Sequence, residues 1–416
     1  MKPYPLVRSL GIRNYKGIAR LDIRLDDTLT LLAGVNGVGK TSAIEALLGA
    51  VTDVWSWLAS DVEEAWFRPS GELLRHGARE GLIAIELAVE ADATADVTIH
   101  VNAEELGHVN YSENDVLSRH LGEMSPLPLI VRYDQNRIGG MHSGTFRWTS
   151  QTNREAALDT TPGALSDFKN WYFEKESDEA REAIARNDLG YADPEVRAVQ
   201  EVLKSIAGDS ISLRSRKPDG SMDRMLFLTK EGQSDIPFEA LSGGETAYFL
   251  LAVDLARRLL LEFPGSNLAE APGFVCIDEI ELHLHPAWQR EILTALIDLF
   301  PRCQFVVTTH SPQVIGSVAA RHVRLLSSDD AGNVSVTEPI ASLGRDSNYV
   351  LAGIMDTPEQ DPRVDDLFEK FDRLVDEGLL DEAGEVLDEL DHLVEGQSSR
   401  VSLRRAKCSR LRRTLG

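Results

Sequence analysis

Residues 34–41 have the types and spacing of a phosphate-binding loop. They read GVNGVGKT and fit the pattern G-x-x-x-x-G-K-[ST]. The glycines allow successive backbone N–H groups to turn toward a phosphate, and a helix that begins at Thr41 would add its positive N-terminal end. We expect Lys40 to reach the β- and γ-phosphates of a nucleotide and Thr41 to place its hydroxyl oxygen on Mg²⁺. The binding residues predicted here are Gly34, Asn36, Gly37, Val38, Gly39, Lys40, Thr41 and Ser42.

Residues 241–245 are a second glycine-containing segment, at the start of a predicted helix. They read LSGGE, and Ser242 is of a type that caps helix N-termini. Two adjacent glycines would leave the N–H groups of the first turn exposed, which makes a second anion site. Taken alone, an ordinary helix cap is the alternative. The binding residues predicted here are Ser242, Gly243, Gly244 and Glu245.

Two predicted strands end in side chains suited to hydrolysis. Residues 274–277 read FVCI and lead into Asp278 and Glu279, and residues 305–309 read FVVTT and lead into His310. If the first strand ends opposite the phosphate-binding loop, Asp278 can hold Mg²⁺ through water, and Glu279 can polarise an attacking water. The imidazole of His310 can form a hydrogen bond to a γ-phosphate. An ordinary loop histidine is the alternative interpretation of His310.

These side chains need a sheet to position them. The apolar run at 29–33 predicts a buried strand before the loop, and the spacing at 41–50 predicts a helix after it. From residue 240 onward helices and strands alternate, which implies parallel strands with helical crossovers. We therefore predict an α/β head with a mixed sheet and flanking helices over 1–345. A small, partly helical insertion at about 139–210 interrupts it, and a C-terminal helical region follows at 346–416.

The motifs in this order resemble those of the ABC-type ATPases of the recombination and chromosome-maintenance branch, which includes RecF, SMC and OLD-like proteins. The resemblance covers roughly residues 1–50, 125–140 and 235–320. It implies that residues 34–41 are the Walker A motif and that residues 241–245 are the signature. Asp278 and Glu279 then correspond to the Walker B pair, and His310 corresponds to the switch histidine.

The resemblance also implies cofactors and an assembly. The cofactors are ATP and Mg²⁺, with Glu279 and His310 as catalytic residues, and Gln135 lies where the family places a further Mg²⁺ contact. A signature in this family caps the ATP that is held by a second protomer. We therefore expect a homodimer or a higher oligomer, joined by ATP and released by hydrolysis.

Finer features resemble one part of this branch. Residues 281–286 read ELHLHP, similar to the E-x-x-L-H-P segment of OLD-like and related defence ATPases. Residues 344–351 and the acidic helices after them are similar to the C-terminal part of the ATPases of Septu and some retron anti-phage systems, which work with an HNH nuclease partner. A generic helical cap is the alternative for this tail. Since neither an HNH pattern nor the room for a TOPRIM domain is evident, we expect any nuclease to be a separate subunit.

Composition limits the remaining possibilities. The chain has 416 residues with 43 Lys and Arg against 67 Asp and Glu, a net charge of −24. Nucleic acid would therefore be bound through a local patch or through a complex, because non-specific binders usually carry a net basic field. Three well-separated cysteines and the lack of a long uncharged apolar stretch predict a cytoplasmic protein without a membrane segment.

Two hypotheses follow. The first is an ATP-driven switch that controls a separate nuclease in defence against phage. The alternative is a RecF-like DNA-maintenance ATPase that clamps DNA without a nuclease. The net charge, the short insertion and the tail favour the first.

Overall fold

The computed structural model describes residues 5–59, 73–88, 94–102, 109–111, 127–134, 164–208, 211–218, 223–230, 235–355, 361–394 and 398–415. The chain divides into two compact units, residues 1–347 and 348–416. Each unit has its own hydrophobic core and is described separately.

The first unit contains three sheets and their flanking helices. Its strands are β1 (Leu6–Tyr15), β2 (Ile18–Arg24), β3 (Leu29–Gly34), β4 (Glu80–Ala88), β5 (Thr94–Asn102), β6 (Val109–Tyr111), β7 (Leu129–Tyr133), β8 (Ile211–Arg216), β9 (Met225–Lys230), β10 (Ile236–Pro237), β11 (Gly273–Ile277), β12 (Cys303–Thr309), β13 (Val323–Ser328) and β14 (Val334–Thr337). Its helices are α1 (Lys40–Ala59), α2 (Ala164–Arg186), α3 (Pro194–Ala207), α4 (Gly243–Glu262), α5 (Pro286–Leu299) and α6 (Pro312–Ile315).

The central sheet has the strand order β14-β13-β3-β12-β11-β7. All neighbours from β13 to β7 run parallel, and only β14 pairs antiparallel, with β13. Every residue of β3, β11 and β12 is buried, as expected for parallel strands covered on both faces. Because the registers pair Ala33 with Thr309 and Ile277 with both Val307 and Tyr133, the carboxyl ends of β3, β12, β11 and β7 meet at one edge.

Helix α1 contributes to the main core of this unit. It is apolar around most of its circumference, with Ala43, Leu47, Val51 and Val54 buried, and a helix of that kind needs partners on more than one side. It contacts β4 and β5 of the antiparallel sheet β2-β1-β4-β5-β6 and also β3 and β12 of the central sheet. The loop at the start of α1 is thereby held between two layers.

The predicted insertion is described only in part. Residues 139–163 lie outside the described residues, while α2 and α3 agree with the helices expected from the sequence. The small sheet β10-β9-β8 follows, and Tyr172 of α2 donates a hydrogen bond to the Leu213 carbonyl of β8 at 2.9 Å. Helices α2 and α3 also contact α4.

The second unit is built from helices. They are α7 (Ser347–Gly353), which begins one residue before the division, α8 (Pro362–Asp376), α9 (Leu380–Leu393) and α10 (Ser399–Leu415). The last three enclose a core that includes Phe368, Phe371, Leu387 and Leu390. The sequence pattern predicts helices at 361–377, 379–394 and 400–414, and the observed bounds of the last three helices lie within one residue of these.

Across the parts of the chain that the structure describes, no helix combines the length and apolar character needed to cross a bilayer.

Candidate active site

The phosphate-binding loop connects the end of β3 to the start of α1, as its pattern predicts. Gly34 is required by close packing, since a Cβ atom there would lie 2.5 Å from the carbonyl oxygen of Leu326. Gly39 has φ +102°, and a Cβ there would lie 2.9 Å from the side chain of Ile18. The loop therefore has a backbone path that only glycine allows at both ends.

The remaining predicted loop residues surround this path. Asn36 and Gly37 are exposed, Val38 is buried, and Ser42 is half-buried in the first turn of α1.

The ammonium of Lys40 is folded back onto the loop. Its Nζ donates to the carbonyl oxygens of Gly34 and Val35, both at 2.9 Å, and only 5% of the residue is exposed. Burial lowers the pKa of Lys40 to about 8, and the nearby carboxylates of Asp278, Glu281 and Glu279 counteract this in part. A phosphate entering the loop can replace the two carbonyl groups as the partner of this cation.

Asp278 follows β11 and meets the first turn of α1. Its backbone N–H donates to the Tyr133 carbonyl at 2.8 Å, which aligns the ends of β11 and β7. Its Oδ2 accepts a hydrogen bond from the Thr41 hydroxyl at 2.9 Å, and its Oδ1 accepts one from Thr308. The adjacent Thr41 and Asp278 oxygens form a hard donor set of the kind that Mg²⁺ prefers, so these residues fit the ion.

Glu279 and His310 face each other at the same edge. Glu279 has φ +48°, a conformation uncommon for a residue with a side chain, and its N–H donates to the Thr308 hydroxyl at 2.8 Å. Its Oε1 lies 3.9 Å from Nε2 of His310, and Nδ1 of His310 lies 3.4 Å from Nζ of Lys40. The structure thus brings Lys40 and His310 together with the adjacent pair Asp278 and Glu279, three segments that are separated in sequence.

Glu281 is a member of this cluster that the sequence analysis did not select. Its Oε2 accepts a hydrogen bond from the Thr309 hydroxyl at 2.8 Å, and its Oε1 accepts one from the backbone N–H of His310 at 2.5 Å. The available signal was its place as the Glu of the E-x-x-L-H-P segment, two residues after Glu279.

The signature segment caps α4, as its sequence predicts. The hydroxyl of Ser242 accepts a hydrogen bond from the N–H of Glu245 at 3.3 Å, and the Glu245 carboxylate accepts one from the Ser242 N–H at 2.9 Å. A Cβ at Gly244 would lie 2.6 Å from the carbonyl oxygen of His283. The signature therefore packs directly on the turn that follows Glu279.

Aromatic packing supports this contact one turn further along α4. The rings of Tyr248 and Trp288 stack with centroids 5.3 Å apart and planes 14° from parallel. His285 caps α5 by accepting a hydrogen bond from the Ala287 N–H.

A buried ion network connects α4 to β7. Asp254 is fully buried and accepts hydrogen bonds from Arg257 and Arg258, the latter at 2.6 Å, and from the Tyr133 hydroxyl at 3.0 Å. The two guanidinium groups hold the pKa of Asp254 down, at about 2, against the effect of burial, which raises it. The signature helix is thereby joined to the strand that precedes Gln135. Gln135 itself lies outside the described residues.

Two family models match the chain. One, described as an AAA domain, matches residues 9–207. The other, whose description names an AAA domain, the AbiEii toxin and a type IV TA system, matches residues 130–316. With the sheet order and the loop geometry above, these matches indicate ATPase domains of the AAA type. Over residues 9–316 the chain is therefore similar to AAA-domain ATPases.

More specific similarities extend over most of the chain. It is 25% identical to the Septu protein PtuA of Bacillus thuringiensis over 80% of this chain and 78% of PtuA. It is also 25% identical to the retron Ec83 probable ATPase of Escherichia coli, over 89% of this chain and 79% of that protein. A solved SMC head, bound to the C-winged helix domain of ScpA, covers 80% of this chain and 98% of its own at 18% identity and a TM-score of 0.48. The predicted family resemblance and fold class are confirmed.

Proposed function

We propose that this chain binds and hydrolyses ATP as a switch subunit, that two copies join through shared ATP sites, and that the assembly controls a separate nuclease in anti-phage defence. The observation that carries the proposal is the convergence of Lys40, Thr41, Asp278, Glu279 and His310 at one edge of the central sheet.

Nucleotide binding is assigned to the phosphate-binding loop and the first turn of α1. The loop N–H groups and the Lys40 ammonium hold the phosphates, while Thr41 and Asp278 hold Mg²⁺, with Gln135 as a further contact. When bound, magnesium would neutralise charge on the β- and γ-phosphate oxygens. The Thr41–Asp278 hydrogen bond already sets these two oxygens side by side.

Hydrolysis is assigned to Glu279 and His310. The Glu279 carboxylate orients a water molecule and accepts its proton, and it is half-buried at the carboxyl end of the sheet. His310 holds the γ-phosphate oxygen by a hydrogen bond, and its position between Lys40 and Glu279 supports that role.

The shared site is assigned to the signature. Ser242 and Gly243 are exposed. Beside the Glu245 N–H that Ser242 caps, the N–H groups of Gly243 and Gly244 would receive an anion presented from outside. A second copy whose loop carries ATP fits that anion. This arrangement supports a homodimer or a higher oligomer.

Control of a nuclease is supported by the similarity to Septu and retron ATPases. We assign the nuclease to a separate subunit of the HNH type. Nucleic acid would be a target that is reached through this complex. The insertion and the C-terminal unit are the docking regions that we propose for it.

The ATPase part of the proposal is tested with Glu279→Gln. Removing the proton acceptor should leave ATP binding intact and abolish turnover, so ATP and Mg²⁺ should trap a dimer or larger assembly in light scattering. Glu270→Gln, at an exposed loop position, is the matched control and should turn over normally. Unchanged turnover in Glu279→Gln would remove Glu279 from its role.

The nuclease part is tested by affinity purification of the chain expressed from its native operon. Mass spectrometry should identify a stoichiometric nuclease, and its cleavage should change when ATP is withdrawn. Purification of an active ATPase with no nuclease would contradict the control role and leave the ATPase assignment standing.

A further inference from the structure

Helix α10 has a charge opposite to that of the chain. It carries seven cationic residues and no acidic residue, in a protein with a net charge of −24. The cationic residues are Arg400, Arg404, Arg405, Lys407, Arg410, Arg412 and Arg413. The ATPase function proposed above does not use this helix.

One face of α10 belongs to the core of the C-terminal unit. Val401 and Cys408 are 1% and 4% exposed and pack against α8 and α9. At the sides of this face, Arg404 pairs with Asp372 of α8 at 2.7 Å, and Arg405 pairs with Asp388 of α9 at 2.9 Å. Part of the positive charge is therefore neutralised within the unit.

The opposite face is exposed and basic. It consists of Leu403, Ala406, Lys407, Arg410 and Arg413, all exposed, which we call the basic stripe. An α-helix turns about 100° and rises about 1.5 Å per residue, so these five positions fall within an arc of about 120° and a length of about 15 Å. The stripe points away from the buried Val401 and Cys408, so it is directed outward from the acidic helices.

The composition of the basic stripe favours a phosphate backbone over a protein partner. Protein interfaces need a desolvated apolar centre, and their cores are depleted in Lys. In the stripe, Leu403 is the single large apolar side chain, 71% exposed. Interfaces with nucleic acid are polar and strongly positive instead.

The shape of the stripe favours a duplex over a single strand. Single strands are typically held by aromatic side chains that stack on the bases, and the five residues of the stripe include none. Duplex DNA presents about one negative charge per 1.7 Å of its axis, so a helix face of this length meets several phosphates. The acidic remainder of the chain repels DNA, which confines contact to the stripe.

We propose that the basic stripe of α10 binds the phosphate backbone of duplex DNA. Arg410 and Arg413 match phosphate oxygens through the planar fork of the guanidinium, and Lys407 contributes a point charge. The contact is independent of sequence and depends on salt.

The proposal is tested with the full chain and a fluorescein-labelled DNA duplex, by fluorescence anisotropy over a series of KCl concentrations. The variant Lys407→Gln, Arg410→Gln, Arg413→Gln should bind at least about tenfold more weakly at low salt. Its log–log salt slope should be shallower by about 2 to 3, since three phosphate contacts are lost.

The matched control removes the same charge elsewhere. Arg181→Gln, Arg186→Gln, Lys204→Gln neutralises three cations that each pair with an acid on their own helix. This control has the same net charge as the stripe variant but should bind DNA within about twofold of the unmodified chain, which separates the stripe from a general charge effect.

Four outcomes would overturn the proposal. They are absence of duplex binding by the unmodified chain at low salt, unchanged binding by the variant at positions 407, 410 and 413, equal loss in the control, and a single strand bound as tightly as the duplex. Unchanged DNA binding together with an altered mass in analytical ultracentrifugation would instead assign the stripe to acidic side chains of a second copy. ATP turnover measured on the same samples reports separately on the ATPase function.

Discussion

The carboxylate of Glu281 holds the backbone N–H of His310 at 2.5 Å and the hydroxyl of Thr309 at 2.8 Å. The turn after β11 is thereby fastened to the end of β12. Because His310 lies between Lys40 and Glu279, its position depends on this carboxylate. Given the role proposed above for His310, we expect Glu281 to act through it as a positioning residue.

Glu281→Ala should lower kcat about 10- to 100-fold and change KM little, since displacements of about 1 Å near reacting atoms have effects of that size. Glu281→Gln keeps one carbonyl acceptor, so its kcat should lie between those of Glu281→Ala and the unmodified chain. Steady-state ATPase kinetics measure both. The exposed Glu270→Ala serves as the control and should match the unmodified chain. A KM effect without a kcat effect would argue against positioning.

Adjacent glycines at the start of α4 provide a second test. Gly244→Ala would place a Cβ 2.6 Å from the His283 carbonyl, whereas a Cβ at Gly243 meets nothing within 4 Å. Gly244→Ala should destabilise the fold by about 1 to 3 kcal/mol, the usual effect of overpacking. Gly243→Ala should be neutral or slightly stabilising, because alanine favours a helix. Urea unfolding compares the two, and equal stabilities would contradict the contact.

Lys40→Ala should weaken ATP binding at least about 100-fold, because a buried charge-assisted contact to phosphate is lost. Isothermal titration calorimetry measures the affinity. Lys16 lies between β1 and β2, and its ammonium pairs with Glu45 of α1. Lys16→Ala removes this lysine and should bind ATP nearly normally. Normal binding by Lys40→Ala would be incompatible with the assigned loop.

Asp254→Asn removes the buried carboxylate to which both Arg257 and Arg258 donate. We expect a loss of about 3 to 5 kcal/mol in the free energy of unfolding near neutral pH. Asp298→Asn, at an exposed position, should cost less than about 0.5 kcal/mol. Urea unfolding of all three proteins gives these values.

The difference in stability between the unmodified chain and Asp254→Asn should depend on pH. The pKa of Asp254 is lowered in the folded chain, to about 2 from an ordinary 3.8. The stabilisation is therefore present above about pH 4 and is lost as the pH falls toward about 2. The difference between the unmodified chain and Asp254→Asn should narrow over that interval. A constant difference would contradict the ionised state of Asp254.

Local patterns in the sequence were sufficient to predict the strands and loops that carry the site. The apolar runs of β3, β11 and β12 made the parallel sheet predictable. The first leads into the glycine-rich loop and the other two lead into Asp278 and His310, which made the site at their edge predictable. The strands β13 and β14 were not predicted. Strand β13 pairs with β3 and brings Leu326 to Gly34 across nearly three hundred residues, a contact that no local pattern indicates. The domain boundaries, the roles of the site residues and the cytoplasmic location stay predictions.

Contacts between residues that are distant in the chain could not be predicted from the sequence. The partnership of Tyr133 with Asp254 joins residues 121 positions apart, and nothing in either segment indicates it. Glu281 was overlooked for a related reason. Its partners lie on the next strand of the sheet, and they become neighbours only when β11 and β12 pair.

The contact between Gly244 and the His283 carbonyl joins the exposed start of α4 to the turn that follows Glu279. Any partner that presses on the signature acts on backbone four residues from Glu279. Such coupling is reciprocal: a change at Glu279 that favours one arrangement of the turn alters the partner's affinity by the same free energy. We therefore expect occupancy of the signature to affect the chemistry at Glu279 within a single copy.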